Sequence, residues 1–416
     1  MPVSEMSIRM HGFPRYTRLA DALKIVLSNV ERLESEVVPF DRALGRVLAE
    51  DVISKVDVPP FDRSAVDGYA VRATDTFGAS ELKPMKLRVI GSVKIGVTSK
   101  LHVRKGEAIK IMTGASLPKG SDAVVMVEHT RAKGKNIAVS APVTPGKNVS
   151  EKGEDVKAGE VVLGRGCLLR PQDVGMLASM GKTRVRVSRM PEVAIIATGS
   201  ELRRPGERLG RAEVTDINSY SLAAAVERFG GLAHRLGIVP DEVEELKKAF
   251  KKGVSYDMVL VSGGSSVGEH DIAPDVIAEL GELMFHGVAI RPGGPTAFGI
   301  IKSKPIFALP GFPVSSLIAF DMLVGPTLRQ MQGLPADRGY PKVQARLARK
   351  VNSTLGRADI VRVRVRSEEG RLIVDPIRVT GSSVLSSMTK ADGFVIVPED
   401  VEGLDEGKIV EVELYL

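Results

Sequence analysis

The chain has 416 residues, 43% hydrophobic and 26% charged, with a net charge of +7; this is an ordinary soluble composition, long enough for two to four domains. One cysteine, Cys167, excludes an internal disulfide and a Cys-rich zinc or iron–sulfur site, and 4% aromatics without Trp argue against base stacking on single-stranded nucleic acid. No apolar run reaches membrane-spanning length and Met1 to Tyr16 lacks a signal-peptide core, so a cytoplasmic protein that binds neither nucleic acid nor membrane is expected.

Leu19, Leu23, Val26 and Leu27 predict a helix over 17–33, and a second helical piece is expected over 40–48. Pro59-Pro60 ends that pattern. Short strands and turns over 58–157 predict a small β domain. It reads as an insertion into a helical region made of 1–57 and 158–190, whose later part holds a helix from Pro171 to Met180. Over 191–333 strands alternate with helices. Val193–Ala197, Asp257–Val261 and Pro305–Leu309 read as buried strands. Asn218 and Asp241 are expected to cap helices, another is expected from Pro274, and Pro313 opens one running to Val324. This alternation predicts a doubly wound parallel sheet. Short strands return over 334–416 as a C-terminal β domain. The fold class is therefore multidomain, α/β plus β.

Ligands of such sheets bind beyond the carboxyl ends of the strands. Three strands here end in loops of small residues: Thr198–Glu201, Ser262–Asp271 and Pro310–Pro313. In the second loop Gly263, Gly264, Ser265, Ser266 and Gly268 offer N–H and hydroxyl groups to an anion, and Glu269 and Asp271 follow at once. Clustered carboxylates repel one another unless a cation offsets them, so Glu201, Glu269 and Asp271 suggest magnesium shared with a ligand phosphate. The same acids could simply cap helices. The loop matches neither a Walker A sequence nor a dinucleotide fingerprint.

Pro59–Ala70, with a turn at Asp67-Gly68, and Ile111–Ala115, with Thr113 beside Gly114, are unusual but could be linking hairpins. Between Arg338 and Arg366 lie nine Lys or Arg and one acid, Asp359. Arg362, Arg364 and Arg366 alternate onto one strand face, either a solvated surface or a guanidinium array suited to an oxyanion.

Taken in order, Pro59–Ala70, Ile111–Val125, Lys152–Asp155, Thr198–Leu202, Ser262–Asp271, Arg291–Gly293 and Leu309–Ser315 resemble the molybdopterin molybdenumtransferase family, which includes the gephyrin E domain. The resemblance covers essentially the whole chain. It implies a helical dimerisation region, an inserted β domain, an α/β domain similar to molybdopterin adenylyltransferase and a barrel-like C-terminal domain, assembled as a homodimer. It implies a magnesium-dependent enzyme that takes adenylylated molybdopterin, inserts molybdate or tungstate and releases AMP, with molybdopterin adenylyltransferase as a possible partner. By motif, the resemblance carries functional roles to Asp67, Thr113, Asp155, Glu201, Asp241 and Asp271. It places Asp216, Asn218, Arg291, Pro310, Pro313 and Ser315 near the ligand, and sets Arg357 and Ser382 facing the oxyanion.

The chain departs from the family pattern at four places. Arg291 stands where a first Lys is usual and keeps its charge, Gly294 where a second Lys is usual, Phe312 where Asn is usual, and Ser265 where Val is common. The loss of a cation at Gly294 suggests a shifted oxyanion preference. A non-catalytic scaffold and an AMP-sensing regulator are the competing readings. The carboxylate cluster argues for catalysis.

Overall fold

The computed structural model describes residues 7–10, 13–263, 272–377 and 383–415. The candidate residues Gly264, Ser265, Ser266, Gly268, Glu269, Asp271 and Ser382 lie outside the described residues. Contacts divide the chain into two units, one of residues 37–44 and 48–186, the other of residues 1–36, 45–47 and 187–416.

The smaller unit holds a six-stranded sheet in the order Thr130–Lys133, Asn136–Val139, Met85–Val93, Glu107–Ile111, Gly68–Val71 and Ala123–Met126. Gly68 is required there, because a Cβ would sit 1.9 Å from the Val125 carbonyl oxygen of the neighbouring strand. The expected helix over 171–180 is present as Pro171–Ser179, with Pro171 in its first turn and the Arg170 N–H donating to Asp173 at 2.8 Å. The helix expected over 40–48 is not. A 3₁₀ turn at Phe40–Arg42 ends before Gly45, whose φ of +72° breaks a right-handed helix.

The larger unit is built on a six-stranded sheet. Its strands are β1 (Glu192–Thr198), β2 (Leu232–Val239), β3 (Met258–Gly263), β4 (Glu282–His286), β5 (Ala297–Ile301) and β6 (Lys304–Leu309), in the order β2-β1-β3-β6-β5-β4. The first four in that order are parallel; at the edge β5 runs antiparallel to both of its neighbours, β6 and β4. The sheet is thus mixed rather than wholly parallel, because β4, β5 and β6 follow one another without a crossover helix. Period-2 side chains feed two cores. Val193, Ile195, Met258, Leu260 and Phe307 face one, while Ala194, Ile196, Val259, Val261 and Ile306 face the other.

The first face is covered by helices Asn218–Arg228 and Pro313–Ala319, and Ala22 and Val26 of the N-terminal helix join the same core. That N-terminal helix spans Leu19–Ser28, shorter than the 17–33 expected. The second face is covered by helices Val243–Gly253 and Ile272–Leu280. The helix begun by Pro313 does not stop at Val324. It passes through a π segment, Phe320–Val324, and resumes at Gly325–Met331, the wider turn making room for Pro326, which has no N–H to donate.

Five strands close into a barrel at the C-terminus: β7 (Lys342–Leu347), β8 (Ala358–Glu368), β9 (Arg371–Pro376), β10 (Gly393–Val397) and β11 (Ile409–Leu414), joined in the circuit β8-β9-β7-β11-β10-β8. The multidomain α/β-plus-β class expected from the sequence is the one observed. Tyr340 ties the barrel to the helical layer. Its ring packs edge-on to Phe229, Phe394 and Tyr415, the Arg228 guanidinium lies 4.7 Å above it, and its hydroxyl donates to Asp321 at 2.7 Å. No helix among the described residues is long and apolar enough to cross a membrane.

Burial pushes the Asp321 carboxyl up to about 7 from 3.8, against the opposing pull of the Tyr340 hydroxyl. A carboxyl raised on folding binds more protons in the native state. Stability therefore falls as pH rises from about 4 to about 7, by up to about 4 kcal/mol. Denaturant curves near pH 4 and pH 8 should show this slope in the wild type and its loss in Asp321→Asn. Gly68→Ala should lower stability by about 3 kcal/mol or more, read as a fall in Tm.

Candidate functional site

The carboxyl ends of β1, β3 and β6 open onto a cleft of about 1330 Å³ within the larger unit. One wall comes from these strand ends: Thr198, Glu201, Asp216, Asn218, Asp241, Ser262, Gly263 and the Pro310–Pro313 turn with Ser315. The barrel supplies the opposite wall through Arg349, Lys350, Arg357, Asp359, Arg362 and Ser383. Tyr16 and residues 288–295 line the space between. The predicted convergence of three loops on one sheet edge is therefore present for the residues described.

On the strand-end wall, Gly263 takes φ +149°, and a Cβ there would lie 1.9 Å from the Thr198 carbonyl oxygen, so only glycine lets the tip of β3 approach β1. Thr198 donates its hydroxyl to Asp241 at 2.5 Å. Asp241 is thus not the cap of the following helix, which starts at Val243 from Glu242. Asn218 is not a cap either. Asp216 caps that helix, accepting the Ser219 N–H at 3.0 Å and the Ser219 hydroxyl. Asp216 lines the cleft but is only 5% exposed, and each of its oxygens accepts a bond from Ser219.

Asn218 instead donates Nδ2 to the Ser262 hydroxyl at 2.8 Å and to the Gly311 carbonyl at 2.7 Å, joining two strand ends. Its Oδ1 is buried without a hydrogen-bond partner. That leaves one acceptor for a ligand donor, since buried polar atoms are rarely left unpaired. Glu201 is exposed, with its carboxylate folded back over Gly199. Among the described residues, Glu201 and Asp241 are the lining carboxylates not committed to a helix cap or an Arg. No group of three or more potential metal-binding side chains occurs among the described residues. The two acids suit a hard, oxygen-preferring cation that takes further oxygens from a bound phosphate.

The opposite wall is basic. Asp359, 2% exposed, accepts from Arg291 and from the Ser353 hydroxyl at 2.7 Å through Oδ2, and its Oδ1 lies 3.9 Å from Arg357 Nε without a hydrogen bond. Arg357 Nε and Arg362 Nε are buried and make no hydrogen bond. Arg362 is itself 8% exposed, and burial lowers its pKa from the usual guanidinium value. Of the alternating arginines, Arg362 alone lines the cleft. Arg364 donates to the Lys390 carbonyl at 3.0 Å and Arg366 pairs with Asp375 and Glu368 on the outer surface.

Asp67, Thr113 and Asp155 belong to the other unit. There Asp67 accepts the Thr113 N–H at 2.7 Å and its hydroxyl at 2.9 Å, bonds that hold the exposed Asp67 carboxyl below its usual pKa. Asp155 is exposed, its N–H held by the Val58 carbonyl at 3.0 Å. Sequence reasoning missed Tyr16, which carries no motif, and did not single out Arg362 from its neighbours.

Residues 17–181 match the MoeA N-terminal region (domain I and II), residues 194–330 the probable molybdopterin binding domain, and residues 344–415 the MoeA C-terminal region (domain IV). A putative molybdopterin biosynthesis protein of Methanocaldococcus jannaschii is 40% identical, over 95% of this chain and 97% of its own length. The chain belongs to the molybdopterin molybdenumtransferase family. The Haemophilus influenzae molybdopterin molybdenumtransferase is 34% identical, over 92% of this chain and 94% of its own. A crystal structure of the MoeA molybdopterin biosynthesis protein of Pyrococcus horikoshii superposes with a TM-score of 0.83 at 39% identity, covering 96% of this chain and 100% of that one. Within the molybdopterin molybdenumtransferase family frame, the cleft spans the probable molybdopterin binding domain and the C-terminal region.

Asn218→Ala removes both bonds that join the ends of β3 and β6. It should cost about 1–3 kcal/mol, measured by denaturant unfolding of the ligand-free protein.

Proposed function

We propose that the cleft binds adenylylated molybdopterin and transfers a tetrahedral oxometallate, molybdate or tungstate, to its dithiolene with release of AMP. The observation that carries this reading is the polarity of the cleft. Carboxylates lie at the strand ends, and two buried guanidinium Nε–H groups without a hydrogen-bond partner, those of Arg357 and Arg362, belong to the barrel residues that line the same cleft. A ligand with a cation-bound phosphate at one end and an oxyanion at the other matches both walls. Family membership supports the same substrate class.

The residues divide the work. Glu201 and Asp241 would hold Mg²⁺, with Thr198 fixing Asp241 by its hydroxyl. Bound Mg²⁺ supplies neutralisation of phosphate charge and activation of a water for attack at phosphorus. Asn218 offers an acceptor to a base or pterin N–H and keeps the strand ends in register. Arg357 and Arg362 offer charge-assisted donors to the oxyanion, and Arg291 is held in place by Asp359. Glu269, Asp271 and Ser382 extend the two ends in this proposal by motif alone. The same reading takes the protein as a cytoplasmic homodimer, with molybdopterin adenylyltransferase as the source of the substrate.

The test is AMP release from adenylylated molybdopterin with Mg²⁺ and either oxyanion. Asp241→Asn should lower kcat about a hundredfold or more, partly restored by raised Mg²⁺. Arg357→Ala should raise the oxyanion concentration needed for half-maximal rate about tenfold, with little change in Mg²⁺ dependence. Substrate binding without AMP release under either oxyanion would replace this reading by that of a cofactor-binding scaffold.

A further inference from the structure

Tyr16 lines the cleft although it lies outside every motif considered above. Backbone pairing fixes it. The neighbouring Thr17 donates its N–H to the Gly287 carbonyl at 2.9 Å and accepts the Ala289 N–H at 2.8 Å, so this strand is tied to the segment that leads to Gly294. On the other side Arg18 pairs with Glu399, whose carbonyl accepts the Gly356 N–H at 2.8 Å, next to Arg357. The two residues that follow Tyr16, Thr17 and Arg18, thus tie it to the two segments that carry Gly294 and Arg357.

Gly294 is buried, and a Cβ built there would lie 3.3 Å from Tyr16 Cε1 and 3.3 Å from the Ile290 carbonyl oxygen. The ring therefore packs close against Gly294, where any side chain would press on it. We propose that Tyr16 is a ligand-contacting residue of the cleft, its phenol hydroxyl donating to a tetrahedral oxyanion held beside Arg357, and that Gly294 is the matching position that lets the ring sit there. The inference rests on the cleft being the substrate site proposed above, and it names a selectivity residue for that site.

Charge supports it. Burial raises the Tyr16 pKa and the Arg357 guanidinium lowers it; burial prevails, so the phenol stays protonated and remains a neutral donor. A neutral hydroxyl beside Arg357 adds a directional bond without a second fixed cation. Such a subsite selects among anions by oxygen placement more than by net charge.

Two sources could present the oxyanion: a free oxometallate, or the phosphate of the nucleotide. Calorimetric titration of molybdate, tungstate and AMP into the wild type and into Tyr16→Phe separates them, with Tm confirming that the isosteric variant is folded. The expected result is a loss of about tenfold or more in oxometallate affinity with AMP binding unchanged, the size expected for one hydrogen bond to a charged group. A loss confined to AMP would support the same donor role and assign it to the nucleotide phosphate. Gly294→Ala should weaken the same ligand several-fold in the wild-type background and by less than twofold in Tyr16→Ala. Equal affinities in wild type and Tyr16→Phe for all three ligands, or an unchanged effect of Gly294→Ala in both backgrounds, would overturn the proposal. A wild type that binds none of the three would overturn the cleft reading itself.

Discussion

The cleft depends on one buried carboxylate. Asp359 sits on the barrel strand that pairs in parallel with Ile290–Arg291, and it accepts from Arg291 of that segment and from Ser353 of the barrel. A charge that is 2% exposed is costly to desolvate, and these donors offset the cost. The arrangement joins the sheet layer to the barrel beside the cleft. It also leaves Arg357 close to Asp359 without a hydrogen bond through Nε. Without Asp359, Arg291 and Arg357 would repel each other across the same space.

The polarity of the cleft follows from topology. Parallel strands bring their carboxyl ends to one edge, and the side chains just beyond them are Glu201, Asp216 and Asp241. The barrel faces them with arginines on and beside a single strand. Only some of these charges remain open to a ligand. Asp216 is engaged by the helix it caps and Arg366 by its outer-surface acids, whereas Arg357 Nε and Arg362 Nε have no hydrogen-bond partner. That selection, rather than the net charge of the chain, gives the cleft its chemistry. Asp67 and Thr113 illustrate the opposite case: two motif residues of the other unit that hydrogen-bond one another and hold an exposed turn.

Much of this was legible beforehand because period and turn chemistry are local. Val193–Ala197 and Asp257–Val261 could only be buried strands, and glycine at 263 was required by a loop that turns sharply at a strand end. Helix ends were read less well. Asn218 and Asp241 are residue types that cap helices, yet each makes a longer-range bond instead, to Ser262 and Gly311 and to Thr198. A capping preference is worth about 1 kcal/mol, and a tertiary partner of similar strength displaces it. The π segment before Pro326 was likewise invisible, because it is the packed layer that keeps the helix continuing.

The sequence by itself determined the alternation of layers, the β character of both flanking regions, the family and most of the residues at the strand ends, since each is encoded in short windows of side-chain period or motif. Tertiary structure alone decided which charges stay unpaired, and that Tyr16 reaches the cleft from nearly three hundred residues away in sequence. The reason is physical. Pairing and burial are properties of neighbours in space, and no local pattern records that Gly294 packs close to Tyr16 or that Asp359 engages Arg291 while Arg357 Nε remains without a bond.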